Sequence, residues 1–247
     1  MKLERKQGFY EKYIKRVLDI ICSLLFIIGF SWLYLILAIL VKIKMGSPVI
    51  FKQPRPGIVK NGKETIFDMF KFRSMTDERA ENGEFLPDHQ RLSSFGEKIR
   101  STSLDELPEV FSILKGDMSV VGPRPQLVRD MVFMTERQRM RHTAKPGLTG
   151  LAQVKGRNAV TWEEKLNWDL KYIEKVSLLG DVKILFETVA VVIKRSGITD
   201  GENVTALDYG DVLLKEGKVS KLQYDALQAH ARKLIEEHER EKIRGKI

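Results

Sequence analysis

The sequence predicts an α+β chain, mostly helical with a few short strands, that enters through a membrane-associating helix. Three observations carry this. Residues 20–41, twenty-two in all, hold no charged side chain. An Asn-Gly pair at 61–62 is followed by alternating apolar residues, the pattern of a hairpin. Beyond residue 90 the apolar residues recur mostly at helical spacing.

The apolar segment comes first. As a helix it would reach roughly 33 Å, enough for a hydrocarbon core. No small-x-small cleavage site follows it, which argues against a signal peptide. A buried soluble helix is the minority reading. Lys12, Lys15 and Arg16 precede the segment, and Lys42 and Lys44 follow it. Positive flanks favour the cytoplasmic side at both ends, as in a segment that enters and returns on one face. Gly29, Ser31 and Trp32 sit where such a segment would bend. On the residues alone, re-entrant and spanning forms both stay open.

Residues 46–205 read as a catalytic domain. Pro48, Pro54 and Pro56 forbid a helix, so Gln53–Gly57 reads as a loop before the hairpin. Helices are expected at 91–100, 105–115, 127–142, 161–175 and 181–195. The stripe of Trp162, Leu166, Leu170 and Ile173, and the apolar run 182–193, suit either the core or an interfacial helix in the headgroup layer. Residues 206–247 form a C-terminal extension, with Ser220 as N-cap of a charged helix over 221–244. That helix reads by default as solvated; it could also pair with a second copy of the chain, giving a homodimer.

The formal net charge of +9 implies an anionic partner. The single cysteine, Cys22, excludes an internal disulfide. No G-x-x-x-x-G-K-[ST] or G-x-G-x-x-G motif is present, and the four histidines lack metal-ligand spacing. A nucleic-acid binder is disfavoured by the apolar segment and the lack of a recognition motif.

Asp105 and Glu106 draw attention because they are adjacent carboxylates at an expected helix start. Ser103-Leu-Asp-Glu106 also matches a capping box, which needs no chemistry. If Asp105 is the N-cap instead, Pro108 falls in the first turn, where proline is tolerated. Ionised carboxylates there suit a magnesium site or a carboxylate nucleophile. Arg100 lies upstream, Arg124 sits on a Gly122-Pro-Arg-Pro125 turn, and Lys71 lies in the hairpin. Lys145–Gly150 and Gln153–Asn158 are basic, glycine-containing loops suited to phosphate. Together these features point to phosphate chemistry at a membrane face.

Several motifs then occur in one order: Lys15-Arg-Val-Leu-Asp19, Arg55-Pro-Gly57, Phe70–Met75, Arg100–Pro108, Lys115–Pro125, Arg141-His142, Lys145–Gly150 and Gln153–Arg157. This set resembles the bacterial sugar transferases. More closely, it is similar to the small monotopic polyprenyl-phosphate phosphoglycosyl transferases, over roughly residues 8–205. The resemblance implies that Asp105 is the nucleophile, attacking the β-phosphate of a UDP-sugar of the N-acetylated hexosamine type and releasing UMP. Glu106 would assist, at Mg2+ or in proton handling, and Asp105 and Glu106 would ligate the metal. Lys71, Arg100 and Arg124 would contact phosphates, and Pro146, Gly147, Gln153 and Arg157 would hold the nucleotide-sugar. Polyprenyl phosphate would accept the phosphosugar at the cytoplasmic face of a bacterial inner membrane, the first membrane step of glycoconjugate assembly. Here Ser31-Trp32 replaces the family's Ser-Pro at the bend. The positive flanks and the resemblance together favour the re-entrant form. The alternative is a non-catalytic, membrane-anchored scaffold for anionic lipid or partner proteins.

Overall fold

The structure is a computed structural model and describes residues 3–83, 86–156, 160–193 and 207–245. It is mostly helical with two small two-stranded sheets. In chain order the elements are α1 (Lys15–Gly29), α2 (Ser31–Met45), β1 (Ile50–Lys60), β2 (Lys63–Phe72), α3 (Asp88–Arg91) and α4 (Ser94–Ser101). Then come α5 (Glu109–Lys115), β3 (Ser119–Val121), α6 (Val128–Met131), α7 (Glu136–Arg139) and β4 (Gly147–Thr149). The chain continues with α8 (Leu151–Gly156), α9 (Trp162–Glu174), α10 (Leu178–Ile193), α11 (Tyr209–Lys215) and α12 (Lys221–Ile243).

No single described helix is long and apolar enough to cross a membrane. Tyr10–Gly29 and Ser31–Met45 pass that test together, with a 66° bend between them. The break falls at Phe30, whose backbone leaves helical geometry at φ −108° and ψ 15°. The Ser31 hydroxyl donates to the Ile28 carbonyl at 3.0 Å, so serine satisfies a backbone group that the bend frees. Large apolar side chains on both helices, among them Leu25, Ile28, Trp32 and Leu35, stay exposed.

Polar residues tie α1 down. Asp19 is buried and accepts from the Ser119 hydroxyl and the Val120 N–H, each at 2.9 Å, which fastens α1 to β3. Arg16 donates to the carbonyls of Ile113 and Leu114 at 2.6 and 2.7 Å, capping the C-terminal end of α5. Lys15 pairs with Asp181 on α10, and Tyr10 and Tyr172 donate to the same carboxylate at 2.8 and 2.9 Å. Helix α2 is held by packing: Leu37 and Val41 bury against Phe72 and Ile99. The Tyr34 hydroxyl donates to the Leu107 carbonyl at 2.7 Å.

The expected hairpin is present, with Asn61 and Gly62 both at positive φ in a two-residue turn. Its first strand is longer than expected. Pro54 and Pro56, read as a loop, lie within β1 opposite Asp68 and Ile66. Both strands of a two-stranded sheet are edges, so a proline without N–H is tolerated. The register breaks just beyond, between Pro56 and Val59.

Helix 127–142 is also corrected. It is divided into α6, α7 and a 3-10 turn at Met140–Thr143, because Thr135 forms a capping box with Gln138 and starts a new helix. Similarly, Ser93 caps α4, which splits the helix read over 91–100. Of the two helices suited to an interfacial place, α9 belongs to the core, with Leu166, Leu170 and Ile173 buried. Helix α10 buries Ile184 but exposes Leu179, Phe186, Val189 and Ile193. Ser220 caps α12 in a capping box with Gln223, as read from the sequence.

Candidate functional site

Asp105 and Glu106 lie in a 3-10 turn at Leu104–Glu106, between α4 and α5. The capping box read at Ser103 does not form: Ser103 adopts φ 56° and its side chain caps nothing. Asp105 is not an N-cap either. Pro108 precedes α5 as its N-cap residue, so the proline ends the 3-10 turn and starts the next helix. The carboxylates are therefore not consumed as helix caps.

Around them the structure gathers the expected cations. Lys71, from the end of β2, places Nζ 2.7 Å from Glu106 Oε1. Arg124, from the turn between β3 and α6, pairs with the same carboxylate through both terminal nitrogens. Burial opposes the charge on Glu106, but Arg124 and Lys71 outweigh it and hold the group well below the usual carboxylate range. Asp105 is different. It is buried and makes no hydrogen bond among the described residues. Burial pushes its carboxyl up to about 6, with Glu106 adding to the shift and Lys71, Arg100 and Arg124 opposing it. Arg100 lies near, at the end of α4, and acts on Asp105 through space.

Two site residues were not picked out from the sequence. Glu109 is fully buried, its Oε1 lies 3.3 Å from Lys71 Nζ, and burial and Glu106 push it up to about 7. Its signal was the spacing Asp105-Glu106-x-x-Glu109, which one turn of helix folds together. Arg55 donates to the Pro125 carbonyl at 3.1 Å and to Gln53 at 2.6 Å, beneath the turn that carries Arg124. Burial and the neighbouring Arg124 pull it down to about 10. It stood in a quoted motif, without a role.

The loops expected to hold a nucleotide-sugar stand on close glycine packing. Pro146 and Gly147 are buried where β4 pairs with β3. The Ser119 N–H donates to the Pro146 carbonyl at 2.8 Å. A Cβ on Gly147 would lie 2.1 Å from the Gly122 nitrogen, and one on Gly150 2.1 Å from the Gly122 carbonyl oxygen. The three glycines let two backbones approach closely and fix the base of the Arg124 turn. Gln153 donates to the Leu148 carbonyl at 3.2 Å and keeps its own side-chain oxygen buried without a partner. Arg157 lies outside the described residues.

A further buried pair supports the turn. Arg141 forms two bonds to Asp169 Oδ2, at 2.9 and 2.7 Å, and also donates to the Arg124 carbonyl. His142 is pushed down to about 4 by burial, so it is neutral beside Glu64. Glu64 takes two 2.6 Å bonds from Arg139, which with His142 overcome burial and lower it to about 2.

Magnesium takes hard oxygen donors, commonly one or two carboxylates completed by substrate phosphates. Asp105, free of hydrogen bonds beside an ionised Glu106, fits that donor set. Among the described residues, the His/Cys/Asp/Glu group geometrically able to hold a metal lies elsewhere, at Asp68, His238 and Glu239. There the Lys242 ammonium already meets both carboxylates, at 2.6 Å for Asp68 and 3.0 Å for Glu239.

The sequence profile of the bacterial sugar transferases matches residues 10–195. The chain is 45% identical over 193 residues to an uncharacterized sugar transferase, EpsL, of Bacillus subtilis strain 168, covering 78% of this chain and 94% of that protein. It is 37% identical to the undecaprenyl-phosphate galactose phosphotransferase of Salmonella typhimurium, over 75% of this chain and 42% of the relative. It is also 37% identical to the UDP-N-acetylgalactosamine-undecaprenyl-phosphate N-acetylgalactosaminephosphotransferase of Aeromonas hydrophila, over 75% and 45%. The chain thus spans less than half the length of these two relatives. Its α11 and α12 lie beyond the matched region. With the profile covering well over half of its length, the chain belongs to the bacterial sugar transferase family.

Proposed function

We propose that the chain moves a sugar-1-phosphate from a UDP-sugar to polyprenyl phosphate in two displacements. In the first, an Asp105 carboxylate oxygen attacks the β-phosphorus of the UDP-sugar. The bond to the bridging oxygen breaks, UMP leaves, and a phosphosugar remains on Asp105. In the second, a phosphate oxygen of the lipid attacks that phosphorus. The acyl-phosphate bond breaks and Asp105 returns as carboxylate, with polyprenyl-diphosphate-sugar as product. Asp105 and Glu106 would hold magnesium, which when bound would supply charge neutralisation at the diphosphate.

The observation that carries this reading is the contrast within the pair. Glu106 is committed to Lys71 and Arg124, while the Asp105 side chain beside it has no hydrogen-bond donor among the described residues. An acceptor-only group with no protein partner, beside paired cations, is what an attacking carboxylate requires. Lys71, Arg100 and Arg124 neutralise the phosphates. Pro146, Gly147, Gln153 and Arg157 hold the nucleotide-sugar side. The names of the relatives support undecaprenyl phosphate as the acceptor class and point to galactose or N-acetylgalactosamine as sugars; an N-acetylated hexosamine is our choice.

The bent pair Tyr10–Met45 enters and leaves the inner membrane on the cytoplasmic face, with the apolar face of α10 in the headgroup layer. The Tyr34 bond to Leu107 supports this placement, because it ties the returning helix to the chain two residues after Asp105.

The test is UMP release across UDP-sugars with undecaprenyl phosphate present. Release should vanish in Asp105→Asn and fall with chelation of Mg2+. Wild-type rates from Asp105→Asn would remove Asp105 from the chemistry.

A further inference from the structure

Glu109 has a carboxylate that the fold does not satisfy. Both oxygens are buried, and among the described residues neither meets an aligned hydrogen-bond donor; the nearest cation, Lys71 Nζ, lies 3.3 Å from Oε1. The residue is 0% exposed. Apart from Asp105 in the site itself, the buried carboxylates of Asp19, Asp130 and Asp169 are treated differently. Asp169 takes two bonds from Arg141, Asp130 takes two backbone N–H groups, and Asp19 takes a hydroxyl and an N–H. A buried charge with a single long contact to a shared cation costs stability, and an amide or apolar side chain of similar volume would cost less. Folding therefore does not account for a carboxylate at this position.

Its surroundings do. Lys71 Nζ is held between Glu106 at 2.7 Å and Glu109 at 3.3 Å. Glu106 also holds Arg124. Lys71, Glu106 and Arg124 together carry one net positive charge, and an ionised Glu109 cancels it. We propose that Glu109 is a positioning residue that anchors Lys71 and offsets its charge, so that the site releases a nucleoside monophosphate after transfer. This rests on the transferase reading above. A unit charge about 6 Å from a bound phosphate, at an effective dielectric of roughly 20, is worth at most about a hundredfold in anion affinity, and screening by counterions leaves about tenfold. A site built only of Lys71, Arg100 and Arg124 would hold the leaving nucleotide harder and turn over more slowly.

UMP binding, measured by titration calorimetry on the full chain, tests this beside the steady-state kinetics of UMP release from UDP-sugars. Glu109→Gln should bind UMP about tenfold tighter, lower KM for the accepted UDP-sugar by a similar factor, and lower kcat as product leaves more slowly. Its thermal midpoint should rise. In a Lys71→Met background, Glu109→Gln should shift UMP affinity less than twofold, because a buried Glu109 that has lost its cation takes up a proton and has no charge left to remove. If Glu109→Gln does not fold, Glu109→Met removes the same charge at similar volume and should tighten UMP binding by a similar factor. Equal UMP affinity in wild type and variant, with wild-type turnover intact, overturns the inference and leaves the transferase reading standing. A wild type that neither binds UMP nor turns over any UDP-sugar sinks both.

Discussion

Asp105→Asn should do more than abolish UMP release: it should make the protein more stable, and more so as pH rises. Burial lifts the Asp105 carboxyl from 3.8 to about 6. Between those values the folded chain holds a proton that the unfolded chain has lost. Unfolding therefore becomes easier as pH climbs through that window, and the cost is fully present above about 6. At about 1.4 kcal/mol per pH unit, the window is worth on the order of 3 kcal/mol. Asparagine has no such titration. Its own buried amide costs about 1 kcal/mol at every pH, so the informative quantity is the change with pH. The assay is thermal unfolding of detergent-solubilised wild type and variant, with chelator, at pH 4 and pH 7.5. The variant's midpoint should gain on the wild type by roughly 6–12 °C between the two, on the size scaling for domains of this length. A gap that does not change with pH, or that narrows toward pH 7.5, would refute a buried carboxylate held charged at the cost of stability.

Three further outcomes follow from the same geometry. Arg141→Met should cost about 3–5 kcal/mol, because Asp169 is left charged and buried; adding Asp169→Leu should return most of that loss, and denaturant unfolding reads both. Gly147→Ala should destabilise by about 1–3 kcal/mol and lower UMP release, since its Cβ would meet the backbone of Gly122 at 2.1 Å and of Thr149 at 2.5 Å. Cysteines placed at Lys6 and Lys233 in a Cys22→Ser background should react with a membrane-impermeant reagent from the same side; opposite sides would show a spanning helix.

How much of this was legible depends on the kind of signal. Local chemistry read well. Asn61-Gly62 read as a tight turn, and Ser220 as the N-cap of its helix; both are present in the structure. The same rule misled at Ser103, where Pro108 and the left-handed backbone override the capping match. Pro54 and Pro56 misled because proline forbids a central strand but not an edge one. Of the site, Asp105, Glu106, Lys71 and Arg124 were legible as adjacent or motif-borne charges, and the structure brings them together. Glu109 was not, since a glutamate early in a helix is ordinary until tertiary packing buries it. Arg141 with Asp169 was out of reach for a similar reason: nothing local says that residues 28 apart share a buried bond.

The attachment of Arg16 to the end of α5 has a consequence for reach. Helix α5 has seven residues, roughly 10 Å at about 1.5 Å each. One end is gripped by a helix of the bent pair, and the other begins three residues after Glu106. It behaves as a ruler, fixing how far Asp105 and Glu106 stand from the bent pair; in the proposed reaction that is their height above the plane where a lipid phosphate arrives. Lengthening α5 by one turn would lift them by about 5 Å, farther than any attack distance tolerates. If the proposed reaction holds, the gauge of that ruler, more than the strength of any one contact, decides which membrane depth the site serves.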